Sequence, residues 1–125
     1  MTKTELRKTY KKHRQLLTDN HIDTLSLNIA NQLLKLPVWQ YAFYHLFLSI
    51  EAQKEVNTHY ILNILSWKDK NIVISKSNFK TFEMTHYLLT DNTTILKNSY
   101  GIPEPVDGIE ISNKKIEVVF IPLLA

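Results

Sequence analysis

Three groups of residues in this chain have the types and spacing for chemistry. The first is a cationic stripe, Lys3, Arg7, Lys11 and Arg14, whose spacings of four, four and three put it on one helical face. Arg7 and Arg14 are planar forks and Lys3 a point charge, so the stripe could meet a phosphate. It borders the apolar seam, so it could equally be a solvated edge whose stems cover the core. The second is the junction running from Phe47-Leu48-Ser49-Ile50 through Glu51 to Glu55-Val56-Asn57-Thr58. It leaves a strand and enters a helix, where α/β proteins place ligand contacts. Glu55 could accept hydrogen bonds from the N–H groups of a flat heterocycle, or simply sit as a solvated carboxylate near a positive helix end. The third is Tyr100-Gly101-Ile102-Pro103-Glu104-Pro105. Two prolines stiffen this loop and Gly101 widens its backbone choice. It could present Tyr100 as an aromatic platform, or be only a stiff connector.

Other chemistries lack their patterns. The five histidines, His13, His21, His45, His59 and His86, show no metal-ligand spacing, so no metal ligands are expected. His45 reads as an ordinary half-buried sheet residue. No serine stands in a G-x-S-x-G elbow, and no catalytic nucleophile or base is assigned. The two glycines, Gly101 and Gly108, do not make a Gly-rich phosphate loop.

These residues need elements to position them. Thr2 and Glu5 form a T-x-x-E capping box at the start of a first helix. Its apolar seam is Leu6, Tyr10, His13 and Leu17. Asp19-Asn20 should open a turn, and a second helix should run from about Asp23 to Leu36, before Pro37. Tyr44 to Ile50 reads as a buried strand, and Glu51 to Glu55 as a polar loop. Asn57 or Thr58 can cap a third helix carrying Ile61, Ile64 and Leu65. Lys68 to Asn71 is a turn, Ile72 to Ser75 a short strand, and Phe82 to Thr90 another. Tyr100 to Asp107 is a loop. Ile116 to Ala125 reads as the most buried strand, central in its sheet. Strand, helix, strand from Tyr44 to Ser75 is a parallel βαβ unit. The expected class is therefore α/β: a three-layer open sheet with βαβ units and the N-terminal helices packed on the sheet.

Size and composition set wider bounds. With 125 residues and 44% hydrophobic content, the chain is expected to form one domain, 1–125, with its own core. There is no cysteine, which excludes disulfides and thiolate zinc sites and suits a reducing cytosol. Neither a signal peptide nor a membrane span is readable, since the longest apolar run falls far short of ~20 residues. The net charge of +3 fits an anionic small molecule as well as nucleic acid. A nucleic-acid module remains a rival reading, but the basic helix lacks aromatic interleaving and a helix-turn-helix turn.

Taken together and in order, these segments resemble the 5-formyltetrahydrofolate cyclo-ligase family. Lys3-Thr4-Glu5-Leu6-Arg7 looks like the family's K-x-x-L-R. Phe47-Leu48-Ser49 with Glu55-Val56-Asn57-Thr58 looks like its apolar strand and E-V-x-T. Tyr100 to Pro105 is similar to its I-x-E-P loop, and Val119 to Ala125 to the strand before its Gly-rich loop. The resemblance implies ATP-dependent conversion of 5-formyltetrahydrofolate to 5,10-methenyltetrahydrofolate, with Mg2+, by a cytoplasmic monomer. It implies that Lys3, Thr4, Glu5, Leu6 and Arg7 form the ATP-binding stretch, with Lys3 and Arg7 on the phosphates. Glu55 would hold the pterin, Ile50 (or Leu48) would line the folate pocket, and Tyr100 would pack on the folate. Nucleic acid and membrane are not expected partners.

The sequence departs from the family pattern at Asn57, where an acidic residue is common, and at Ser75-Lys76, which replaces a frequent Pro-basic pair. The family's G-x-G-x-G-Y-Y-D-like segment has no counterpart here. The expectation is an incomplete cyclo-ligase domain, lacking the C-terminal part of the family fold and inactive alone. A remnant that binds folate without catalysis is the other expectation.

Overall fold

A computed structural model describes residues 1–124, so Ala125, expected at the end of the last strand, lies outside the described residues. The chain opens with helix α1, Lys3–Gln15. Its capping box is in place. Thr2 Oγ1 accepts from the Glu5 N–H at 3.1 Å, and the Thr2 N–H donates to Glu5 Oε2 at 2.7 Å. Lys12, His13 and Arg14 occupy its last turn, where cations suit the negative helix end. None of its residues is buried, so α1 does not join the core as expected.

Helix α2 spans Asp19–Leu33, starting and ending earlier than the expected 23–36. Thr18 is the reason at the front. Its hydroxyl accepts from the His21 N–H at 3.2 Å, which draws Asp19 and Asn20 into the first turn. At the back, the Trp39 indole N–H donates to the Leu33 carbonyl at 3.0 Å and satisfies a helix-end acceptor.

Strand β1, Phe43–His45, is shorter than the 44–50 expected. Leu46 still donates to the Val73 carbonyl at 3.0 Å, but the chain then leaves the sheet for a 3-10 turn, Glu51–Gln53. Helix α3, His59–Trp67, follows. Asn57 Oδ1 accepts from the His59 N–H at 3.0 Å, whereas Thr58 caps with no side-chain bond. Strand β2, Asn71–Ser77, lies parallel to β1 with Tyr44 opposite Ile72, which completes the expected βαβ unit. Strand β3, Met84–Leu88, pairs antiparallel with β2, Ser75 facing His86.

The loop expected at 100–107 contains a strand. β5, Pro103–Pro105, pairs antiparallel with β4, Ile95–Lys97, in a separate two-stranded sheet. Alternating prolines lack N–H donors on alternate residues only, so a short edge strand tolerates them. The final strand, β6, is Val118–Val119, parallel to β1. The four-stranded sheet has the order β3-β2-β1-β6. The last strand is therefore at an edge, not central, and Val119, Ile121 and Leu123 are exposed. Its apolar run satisfies the pattern of a buried strand, yet among the described residues no strand pairs with its far side.

The core joins α2, α3 and one sheet surface. Ala30, Tyr44, Leu46, Ile61, Leu65 and Ile72 are buried together. Each large aliphatic side chain buried there contributes about 1.5–3 kcal/mol. The architecture is α/β, three helices with a mixed sheet whose parallel strands β2, β1 and β6 point their carboxyl ends the same way. No helix among the described residues is long and apolar enough to cross a membrane.

Candidate functional site

At the carboxyl end of β1 the chain folds back on itself between Ser49 and Thr58. The Gln53 N–H donates to the Ile50 carbonyl at 3.0 Å, and the Lys54 N–H to the Glu51 carbonyl at 2.9 Å. Lys54 then takes a left-handed conformation, φ 52°. That reversal returns Glu55 to the start of the turn, where its Oε1 accepts from the Ile50 N–H at 2.8 Å. Glu55 Oε2 has no partner among the described residues. The turn is anchored from three sides. The Ser49 hydroxyl donates to the Val56 carbonyl and accepts from the Thr58 N–H at 3.1 Å. The Asn57 N–H donates to the buried Ser26 hydroxyl of α2 at 2.8 Å. The Lys54 ammonium donates to the Gln15 and Leu17 carbonyls at the end of α1, at 2.9 and 2.6 Å.

Two cavities meet at this turn, and both sizes suit small molecules. One, about 720 Å³, is mainly apolar and lies between α1, α2 and the segment after β6. Its polar lining includes Arg14, Lys54 and Glu55. Arg14 donates to Gln53 Oε1 at 3.3 Å, while its buried Nε–H has no partner and could serve an incoming acceptor. The other, about 680 Å³, includes Leu48, Ser49, Glu51 and Asn57 together with Ile95 and Pro103 of the small sheet. Lys54 and Glu55 line both cavities.

The expected site residues fall unevenly around this centre. Ile50 and Glu55 are brought together directly. Ile50 offers its backbone rather than a cavity wall, whereas Leu48 lines the second cavity. Lys3, Thr4, Glu5, Leu6 and Arg7 lie on the first turns of α1, all exposed and outside both cavities. The Glu5 carboxylate is occupied by the capping box. The Lys3 and Arg7 side chains make no hydrogen bond among the described residues. Tyr100 also lies outside both cavities and packs on Phe79, ring centroids 4.5 Å apart. Asn98 shapes its loop, accepting through Oδ1 from the Tyr100 and Ile102 N–H groups at 2.8 and 3.1 Å.

Several structurally notable residues, at the turn and away from it, carry no readable sequence signal for the contacts they make. Lys54 is one, because nothing in the sequence marks a lysine for positive φ. Phe79 is another. A third group is His45, Ser75 and His86 on three neighbouring strands. His45 Nε2 lies 2.7 Å from the Ser75 hydroxyl, which lies 2.6 Å from His86 Nδ1. His45 is half-buried, as expected, but its Nδ1 is buried without a partner. Burial, and then the neighbouring His86, hold its pKa below the ordinary histidine value. No three His, Asp or Glu side chains converge as a metal site among the described residues.

Residues 1–125 match the family model described as the 5-formyltetrahydrofolate cyclo-ligase family. Two solved structures are similar. One is the NMR structure of Aquifex aeolicus 5,10-methenyltetrahydrofolate synthetase, with TM-score 0.76 and 23% identity, covering 95% of this chain and 59% of that one. The other is a 5,10-methenyltetrahydrofolate synthetase from Mycoplasma pneumoniae, with TM-score 0.70 and 19% identity, covering 98% of this chain and 65% of that one. At those identities the likeness is one of fold. The chain spans less than two thirds of the length of either. No curated protein matches it significantly.

Proposed function

Because the chain belongs to the 5-formyltetrahydrofolate cyclo-ligase family, we propose that its chemistry is the ATP-dependent closure of 5-formyltetrahydrofolate to 5,10-methenyltetrahydrofolate. A formamide oxygen is a poor leaving group. Transfer of the terminal phosphoryl group of ATP to that oxygen, releasing ADP, makes a good one. The neighbouring folate nitrogen then attacks the formyl carbon, gives up its proton, and phosphate leaves as the ring closes. The protein's part is to align the two substrates, neutralise charge and exclude water.

The observation that carries this reading is the Ile50–Glu55 turn. One carboxylate oxygen is fixed by the Ile50 N–H and the other has no partner, at the junction of two cavities large enough for a pterin. Glu55 holds the pterin N–H groups, with Ile50 or Leu48 beside it, and Tyr100 packs on the folate. The stretch Lys3 to Arg7 receives ATP, with Lys3 and Arg7 on the phosphates. Their exposed, unpartnered side chains suit that task. The described residues do not fit a dedicated magnesium site, and no step is assigned to the metal. Magnesium commonly arrives on the nucleotide phosphates with few protein ligands. The setting proposed is a monomer in the cytosol.

We infer further that these 125 residues form one domain that binds folate without turning it over. The organised Glu55 turn supports folate binding in either reading, and the scarcity of glycine favours the second. With two glycines, the chain has no Gly-rich backbone cradle to complete a phosphate site. The test is to supply 5-formyltetrahydrofolate, ATP and magnesium and follow near-ultraviolet absorbance for methenyltetrahydrofolate, with separate titrations of each ligand. Saturable folate binding without product supports the remnant. Product formation makes the 125 residues an enzyme.

A further inference from the structure

We propose that Lys54 is a positioning residue that latches α1 to the Glu55 turn, so that one turn sets both the folate carboxylate and the phosphate-binding helix. The inference rests on the reading above, in which α1 receives ATP and Glu55 receives folate.

The argument begins with how little else holds α1. None of its residues is buried. Beyond its own flanking turns, the hydrogen bonds that join it to the rest of the described chain all come from two adjacent residues. Lys54 Nζ donates to the Gln15 and Leu17 carbonyls at 2.9 and 2.6 Å. Gln53 Oε1 accepts from Arg14 Nη2 at 3.3 Å. The ammonium thus takes two carbonyls at and just beyond the helix end, where a cation also meets the favourable end of the helix dipole.

The backbone points the same way. Lys54 sits at φ 52°, a region that costs a non-glycine residue energy. The left-handed step is what closes the turn and brings Glu55 Oε1 to the Ile50 N–H. In this turn a lysine does what a glycine would do more easily, and it adds an ammonium reaching α1. Gln53, Lys54 and Glu55 therefore bind helix, helix and Ile50 in succession. A shift of α1 pulls on the residue next to the proposed pterin ligand, and the reverse holds too.

The test compares the whole 125-residue chain with Lys54→Met, Lys54→Gly and Lys54→Arg. Lys54→Gly suits the left-handed backbone while removing the ammonium, which separates latch from turn. Three readouts are taken: amide hydrogen exchange along α1, ATP affinity, and 5-formyltetrahydrofolate affinity. The latch predicts that Met and Gly both speed exchange in the last turn of α1 and weaken ATP by about fivefold. Folate affinity should change less than ATP affinity, and Lys54→Arg should restore both α1 readouts. Unchanged α1 exchange in Lys54→Met and Lys54→Gly would overturn the proposal. So would weaker ATP binding with unchanged exchange, which would make Lys54 a direct phosphate ligand. If the parent chain binds no ATP, the reading of α1 fails, and the exchange data still decide the latch.

Discussion

The Ile50 N–H donates to Glu55 Oε1 at 2.8 Å, which fixes one oxygen of the carboxylate and leaves the other without a partner among the described residues. Glu55→Gln separates these roles. The amide oxygen can still accept from Ile50, so the turn and the unfolding midpoint should stay close to the parent. The charge that would receive pterin N–H groups is gone, and folate affinity should fall about tenfold or more. Glu55→Ala should lose affinity and also destabilise the turn. Calorimetric titration with denaturant unfolding reads both effects.

Arg7 is exposed and unpartnered on α1, so removing its charge should leave stability unchanged. If the stripe serves phosphate, Arg7→Gln weakens ATP several-fold and folate little. Added salt should weaken ATP binding to the parent chain more than to the variant. Equal loss of both ligands would remove Arg7 from the phosphate site.

His45 predicts how stability depends on pH. Its pKa is lowered in the folded chain by burial and by His86, so below the ordinary value of 6.5 the unfolded chain binds the proton more readily. Its contribution is complete above 6.5 and is lost as pH falls through the lower folded value. Denaturant midpoints should decline as pH falls below about 6.5, at no more than about 1.4 kcal/mol per pH unit from this group. His45→Phe should flatten that slope.

Ser75 links His45 to His86 through one hydroxyl, at 2.7 and 2.6 Å. Ser75→Ala leaves two half-buried ring nitrogens without that partner and should cost about 1–3 kcal/mol of stability. Chemical unfolding at neutral pH measures the loss, and Ser75→Thr should recover part of it.

What the sequence discloses follows from where its signals are local. The Thr2–Glu5 box, the Asn57 cap and the βαβ unit depend on neighbours a few residues apart, and all three are in the fold. The start of α2 misleads because Thr18 outcompetes the turn signal of Asp19-Asn20. The last strand misleads because an apolar run reports what a segment could bury, not what covers it. Val119 and Ile121 are apolar and exposed. Glu55 can be singled out as a candidate, but its bond to Ile50 depends on the left-handed Lys54, which no residue pattern announces. The clasp of Lys54 on Gln15 and Leu17 joins positions 39 and 37 residues apart, beyond any local rule.

The account stands most directly on one titration. Calorimetry of the 125-residue chain and its Glu55→Gln variant against 5-formyltetrahydrofolate should show saturable one-to-one binding to the parent, weakened about tenfold or more in the variant. No saturable binding by a folded parent chain, or equal affinity in the two, would contradict it.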